Sequence, residues 1–384
     1  MRAIRQMQYR AGAELLMDSY QRFVKWQPPL HHRASALEIS TLDCHTGGEP
    51  LRIIIAGFPE LQGYSVLAKR RDCQQRFDGL RRALMWEPRG HADMYGCIVV
   101  PPERPDSAFG VIFLHNEGYS TMCGHAMIAL AKVAVEAGVV AIAEPVTAFA
   151  VDAPCGQIRL FAEVKHGKVQ HCCFENVPSF VVATDQQLTL PGIGDFSYTL
   201  AYGGAFYAYV DAASIGLSLA ASNHRQIIEV GQRIKMALAS HIELKHPFEP
   251  DLNFLYGTIF YGTPLSADAT LCPDAPQIAA NPNRPAEMRN VCVFADGELD
   301  RSPTGSGVSG LAAMLQQQGQ LAVGQSLVIE SILGSQFQLS IVDLVQYGSY
   351  SAVIPRVQGQ AFVTGRQQFY LDPQDPFVEG FIFR

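Results

Sequence analysis

The chain has no run of about 18 or more consecutive apolar residues, the length a membrane-crossing helix needs, so no membrane partner is expected. It has no basic run either. Its 29 Lys and Arg stand against 36 Asp and Glu, and a net charge of -7 argues against a nucleic-acid partner. There is no GxxxxGK, and no GxGxxG between a strand and a helix, so no cofactor is expected. The nine cysteines make no disulfide frame: the number is odd, the spacings are irregular and no apolar core of signal-peptide type precedes them. Reduced thiols in a cytoplasmic protein are the expectation. His115, Cys123 and His125 lie close in sequence, but no second Cys/His cluster of matching spacing joins them, so no metal site is expected.

What is present is ample apolar material. The chain has 384 residues, 48% of them hydrophobic, enough for a sizeable core and a length suited to two domains. Residues 1–36 differ from the rest: Arg2, Arg5 and Arg10 alternate with Met and Tyr, Glu14 to Met17 could start a short helix, and Pro28-Pro29 ends it. They read as a loosely attached extension. Compact structure is expected from Leu37. Leu37 to Leu42 and Leu51 to Ala56 read as strands around Asp43-Cys44-His45-Thr46-Gly47-Gly48-Glu49-Pro50, whose paired glycines mark a tight turn. Cys44 and His45 could be catalytic there, or simply part of the turn. Residues 69–93 carry Lys69-Arg70-Arg71 and Arg81-Arg82 and read as a solvated surface helix and loop.

The organising stretch is Met122-Cys123-Gly124-His125. It follows the apolar run Val111 to Leu114 and precedes a helix-period segment, Ala126 to Ala134, that stops at Gly138. A cysteine at a helix mouth meets unpaired N–H groups and the positive end of the helix dipole. Both favour thiolate, so a reactive cysteine is expected here, against the alternative of a buried thiol packing a helix start.

A second unit has the same grammar. Strand Arg289 to Phe294 leads to Asp300-Arg301-Ser302-Pro303-Thr304-Gly305-Ser306-Gly307 and a helix from Val308 to Gln318. Fifteen residues separate Cys123 from Gly138, and fifteen separate Thr304 from Gly319. Each half also carries a Gly-Gly strand pair, Gly47-Gly48 and Gly203-Gly204. Other strands are expected within 146–182, 254–261 and 327–383, an amphipathic helix at 224–243, and an exposed proline-rich loop at 262–288. Many short strands with few helices indicate an α+β protein. Two related α/β domains are inferred: 37–180, completed by C-terminal strands from about 355 to 384, and 181–354. Two helix N-termini facing one cleft would hold a carboxylate on the amides of Gly124, His125, Gly305 and Ser306. They would also stabilise the charge that develops if the neighbouring Cα–H is removed. Cys123 suits the base, and Asp300 and His125 suit a nearby amine or imine nitrogen.

These motifs, with His115-Asn116-Glu117-Gly118, resemble those of the proline racemase family from about residue 37 to the end. The resemblance implies the diaminopimelate-epimerase-like fold, with two pseudo-symmetric domains, each a curled sheet around a central helix, and the active site between them. It implies cofactor-free Cα proton chemistry on a small substrate, proline or hydroxyproline, and a homodimer. It assigns carboxylate binding to Gly124, His125, Gly305 and Ser306, and a further substrate contact to Asp300.

One departure decides the expected activity. The family's racemases and 4-hydroxyproline epimerases carry cysteine where this chain has Thr304. Inversion needs a proton removed from one face of Cα and another delivered to the opposite face. An alcohol is far too weak an acid and base for that near neutral pH. Cysteine in the first motif with threonine in the second resembles the branch that dehydrates trans-3-hydroxy-L-proline. In that substrate the hydroxyl and the Cα hydrogen share a ring face, so one thiol could serve both. A 2-epimerase or racemase with an unusual second residue, and a non-catalytic binder of proline-like amino acids, are the alternatives.

Overall fold

The computed structural model describes Gln21, residues 36–264 and residues 285–383. The expected helix start at Glu14 to Met17, nearly all of the expected extension, and residues 265–284 of the proline-rich loop lie outside these.

The chain runs β1 (Leu37–Thr46), β2 (Glu49–Ala56), α1 (Val66–Arg76), α2 (Asp78–Met85), β3 (Tyr95–Val100), β4 (Ser107–His115), β5 (Tyr119–Ser120), α3 (Gly124–Glu136), β6 (Val146–Ala153), β7 (Gly156–Lys165) and β8 (Lys168–Glu175). It continues with β9 (Ser179–Leu190), β10 (Gly194–Tyr202), β11 (Phe206–Asp211), α4 (His224–Ala239), β12 (Leu255–Gly262), β13 (Met288–Phe294), β14 (Glu298–Leu299), α5 (Gly305–Gln317), β15 (Ser326–Glu330), β16 (Gln336–Tyr347), β17 (Tyr350–Gly359) and β18 (Ala361–Leu371). The α+β character is as expected: a large mixed sheet with few helices.

The pairings close the sheet into barrel-like arcs. Starting at β18, the neighbours are β1, β2, β3, β4, β6, β7, β8 and then β17, with β2/β3 and β4/β6 parallel and the rest antiparallel. Starting at β9, they are β10, β11, β12, β13, β15, β16, β17 and back to β9, with β11/β12 and β13/β15 parallel. The two sets therefore share β17, Tyr350–Gly359. Closure leaves few free strand edges, which suits strands this rich in apolar residues.

Each arc wraps one helix. Helix α3 packs on β8, β7, β1, β18 and β2, and α5 packs on β17, β9, β10, β16 and β11. Both helices are apolar around most of their circumference, as a helix enclosed by sheet must be, with Lys132 and Glu136 of α3 pairing at 2.7 Å near its C-terminal end. Ala126, Ile128, Ala129 and Ala131 in α3, and Val308, Leu311 and Ala312 in α5, are fully buried. Small residues on α3 and α5 let the surrounding strands come close.

Helices α1 and α2 differ from the solvated face expected for residues 69–93. They cover the outer side of β2, β3 and β4 through Val66, Leu84, Met85, Ile54, Ile98, Ile112 and Leu114. Lys69, Arg70 and Arg81 are buried with them. Their heads reach backbone carbonyls: Lys69 Nζ donates to Pro101 O at 3.1 Å, Arg70 Nη2 to Tyr119 O at 3.1 Å, and Arg81 Nη1 to His115 O at 3.0 Å. A cationic side chain can lie along apolar surface when its head finds acceptors, and a residue count does not reveal this. Among the described residues, no helix is long and apolar enough to cross a membrane.

Candidate active site

Cys123 is the N-cap of α3, with extended backbone (φ -144°, ψ 106°). Thr304 is the N-cap of α5. The first intrahelical bonds run from Met127 N to Cys123 O and from Val308 N to Thr304 O. The preceding N–H groups of each helix, including those of Gly124, His125, Gly305 and Ser306, therefore have no acceptor within the helix. The two helix starts abut: a Cβ on Gly124 would lie 2.4 Å from Gly305 Cα, and one on Gly305 would lie 2.6 Å from Gly124 Cα. Only two glycines allow the two sets of N–H groups to converge this closely.

All seven residues expected at the site, Cys123, Gly124, His125, Asp300, Thr304, Gly305 and Ser306, line one narrow cavity. Tyr95, Met122, Tyr207, Tyr256, Cys292 and Phe294 complete it. The side chains that matter there are buried: Cys123, His125, Asp300 and Thr304 are each 4–5% exposed. Burial of this kind strengthens hydrogen bonds and charge interactions among the buried groups.

The Cys123 Sγ lies 3.3 Å from His125 Nδ1. Burial pushes the Cys123 thiol well above its ordinary range, even though the Ala126 N–H favours the anion. This corrects the expected thiolate. The field of a helix terminus is present, but loss of water on burial outweighs it. Burial also drives His125 down to about 3, while a hydrogen bond to the Pro50 carbonyl acts the other way. Thiol and imidazole are thus both neutral at rest, in contact.

The opposite wall is set by residues 300–304. Asp300 N donates to Cys292 O at 3.1 Å, Ser302 N donates to Asp300 Oδ1 at 2.7 Å, and Asn290 Nδ2 donates to Pro303 O at 2.8 Å. Burial raises Asp300 above the ordinary carboxylate value against the hydrogen bonds from Ser302 and Thr304 that favour its anion. Thr304 has φ +64°, a conformation that costs a β-branched residue energy and that the surrounding fold must enforce. Its Oγ1 is buried and has the Asp300 carboxyl and the Cys292 thiol as neighbours. Ser306 Oγ meets Tyr207 OH at 2.7 Å, so its hydroxyl is engaged and its N–H is the group free for a ligand.

The hairpin between β1 and β2 ties both helix starts together. Thr46 Oγ1 donates to His125 O at 2.9 Å, and Glu49 Oε2 accepts from Arg301 N at 2.7 Å. Cys44 and His45 do not line the cavity. Cys44 packs into the main core, and His45 stacks on Phe362 at 5.3 Å. His115 lies behind the wall, 3.3 Å from Glu298 and ringed by Tyr95, Tyr256 and Phe294. Reading the sequence alone missed Tyr95, Tyr207, Tyr256, Cys292 and Phe294. Each comes from a strand, and only the strand's alternation hints at which face it occupies.

With the geometry established, comparison with known proteins is specific. A family profile described as proline racemase matches residues 41–382. The chain is 50% identical over 363 residues to a trans-3-hydroxy-L-proline dehydratase of Colwellia psychrerythraea, covering 94% of this chain and 97% of the relative. It is 42% identical over 346 residues to a protein of Burkholderia multivorans named 3-hydroxyproline 2-epimerase, covering 90% and 98%. Among solved structures, a hydroxyproline epimerase from Agrobacterium vitis with bound trans-4-OH-L-proline aligns with a TM-score of 0.81 at 28% identity, over 90% of this chain and 96% of that one.

Proposed function

The chain belongs to the proline racemase family, and we propose that within it this member dehydrates trans-3-hydroxy-L-proline to Δ1-pyrroline-2-carboxylate without a cofactor. The observation that carries the reading is the unlike pair at the two helix starts: a thiol at Cys123 and an alcohol at Thr304, lining one cavity.

In this reading the substrate carboxylate sits on the N–H groups of Gly124, His125, Gly305 and Ser306, where the two helix dipoles favour negative charge. Asp300 receives the ring nitrogen. The His125 ring donates to the Pro50 carbonyl and lies against Sγ, with Nδ1 at 3.3 Å and Nε2 at 3.6 Å. It is therefore the acceptor for the thiol proton once the substrate's charges enter. The resulting thiolate removes the Cα proton. The C3–O bond then breaks, and the departing oxygen takes a proton from His125 or from the re-formed thiol on the same ring face. Water and an enamine result, the pair returns to thiol and imidazole, and the enamine tautomerises to the imine. Thr304 shapes the far face, where no proton has to move.

One observation favours a second reading, 2-epimerisation. Cys292 lines the same cavity beside Thr304 and puts a thiol near the far wall. Incubation with trans-3-hydroxy-L-proline in heavy water separates the two. Dehydration gives the pyrroline and leaves L-proline uninverted. Recovery of a deuterated 2-epimer, or efficient racemisation of L-proline, overturns the dehydratase.

We infer two pseudo-symmetric domains, 37–180 with the strands from about 355 onward, and 181–354. The recurrence of one order of antiparallel and parallel pairings around α3 and α5 supports this. A cytoplasmic homodimer belongs to the same reading, and light scattering tests the dimer.

A further inference from the structure

Glu49 is fully buried, and one of its oxygens accepts from the Arg301 backbone N–H at 2.7 Å. The other, Oε1, is buried and meets no hydrogen-bond donor among the described residues. A carboxylate oxygen in that position costs free energy, because it has lost water and gained nothing. A protonated oxygen has a different need: it must find an acceptor. Asp300 precedes Arg301 in the chain and lies among the acidic groups that act on Glu49, and it alone of the two lines the cavity.

We propose that Glu49 is a positioning residue: it holds a proton, donates it in a hydrogen bond to Asp300, and so leaves Asp300 as the single carboxylate facing the ring nitrogen of the substrate. The role rests on the dehydratase reading of the site, but the protonation of Glu49 does not. Two buried carboxyls side by side do not both ionise readily. The burial of Glu49 and the charge of Asp300 push it well above the ordinary glutamate value, and the Arg301 guanidinium and N–H only partly oppose them. The other groups acting on the pair are Asp93, which Arg301 meets at 2.7 Å, and the Cys292 thiol. The arrangement accounts for a fully buried glutamate with one oxygen that meets no donor among the described residues. It also aims Asp300: a hydrogen bond from Glu49 to one carboxylate oxygen, with Ser302 N on Oδ1, fixes the plane of the carboxylate.

The direct test is carbon NMR of protein labelled at glutamate carboxyls, with the Glu49 signal assigned by its loss in Glu49→Gln. A signal that stays at the protonated position through neutral pH is the expected result. One that titrates in the ordinary glutamate range overturns the proposal, whatever the substrate proves to be. Kinetics test the role. Glu49→Gln, which can still donate, should keep kcat and KM within about twofold. Glu49→Ala should raise KM by about tenfold or more, the loss expected when a hydrogen bond to a charged group goes. The wild type should also lose kcat/KM at high pH, as Glu49 ionises, on a limb that Glu49→Gln lacks. Equal damage in Glu49→Gln and Glu49→Ala would overturn the positioning role. Absence of pyrroline from the wild type, with Glu49 still protonated, would instead remove the dehydratase reading and leave the carboxyl pair intact.

Discussion

Gly124 and Gly305 pack backbone to backbone, so that a methyl group on either would fall 2.4–2.6 Å from the other's Cα. This contact sets how far apart the two rows of N–H groups stand, and so whether one carboxylate can reach both.

Gly305→Ala should therefore separate the helix starts. The atom a new Cβ would meet most closely, Gly124 Cα at 2.6 Å, is main chain and cannot rotate away. Overpacking of about 1–3 kcal/mol is expected, measured by denaturant unfolding. Activity should fall further, by about a hundredfold, because a shift of about 1 Å in a catalytic group is enough for that. A Gly305→Ala enzyme with normal kcat/KM would show that the helix starts do not jointly hold the substrate.

Cys123→Ser tests the base. The oxygen fits where the sulfur was, so the fold should persist, with little change in melting temperature. Turnover should drop by about 10²–10⁴-fold, the usual contribution of a positioned acid–base group. The resting thiol adds a second readout. Because burial holds it protonated, alkylation of the empty enzyme at neutral pH should be slow. Rapid labelling of Cys123 without substrate would contradict a neutral resting pair.

Much of this site was legible in the sequence because it is built locally. A strand, a tight loop, a nucleophile-type side chain, a glycine and a helix appear in order within about twenty residues, and Cys123 and Thr304 sit at the helix starts as the pattern requires. The cavity walls were not legible. Tyr207 on β11, Tyr256 on β12 and Cys292 on β13 meet only after the sheet closes, and closure depends on pairings far apart in the chain. The thiolate expectation for Cys123 failed for the same reason: the helix dipole is a local fact, whereas burial is the work of the whole fold and here is the larger effect. The basic segment Lys69 to Arg82 misled in the opposite direction. Lys69, Arg70 and Arg81 find carbonyl oxygens on Pro101, Tyr119, His115 and Asn116 that no local pattern announces, while Arg71 and Arg76 stay on the solvated face.

Thr304→Cys asks whether the chemistry is set by this one side chain. A thiol there would stand on the far side of the substrate, near Cys292. The variant should gain exchange of the Cα hydrogen of L-proline in heavy water, read by mass spectrometry, and should lose some dehydration. It should remain folded, since the strained φ of +64° is imposed by the loop and a cysteine, unbranched at Cβ, tolerates it no worse. No exchange at all would mean that residue 304 does not face Cα.

His246 gives the fold an acid limit that can be measured apart from catalysis. Its Nδ1 accepts the N–H groups of Phe248 at 3.3 Å and Glu249 at 3.0 Å, while Nε2 meets Tyr347 OH at 3.3 Å. A proton on Nδ1 would abolish both acceptor bonds, and burial lowers the group from 6.5 to about 4. The unfolded chain therefore binds a proton at a higher pH than the folded one. Stability from this residue is complete above about 6.5 and is lost as pH falls through about 4. His125, lowered to about 3, adds a loss in the same direction. The melting temperature should decline from near pH 6.5 downward, and His246→Gln should flatten that decline while leaving kcat/KM near neutral pH unchanged, since His246 lies outside the catalytic cavity. An unaltered acid slope in His246→Gln would mean that His246 does not stay neutral as those two N–H bonds require.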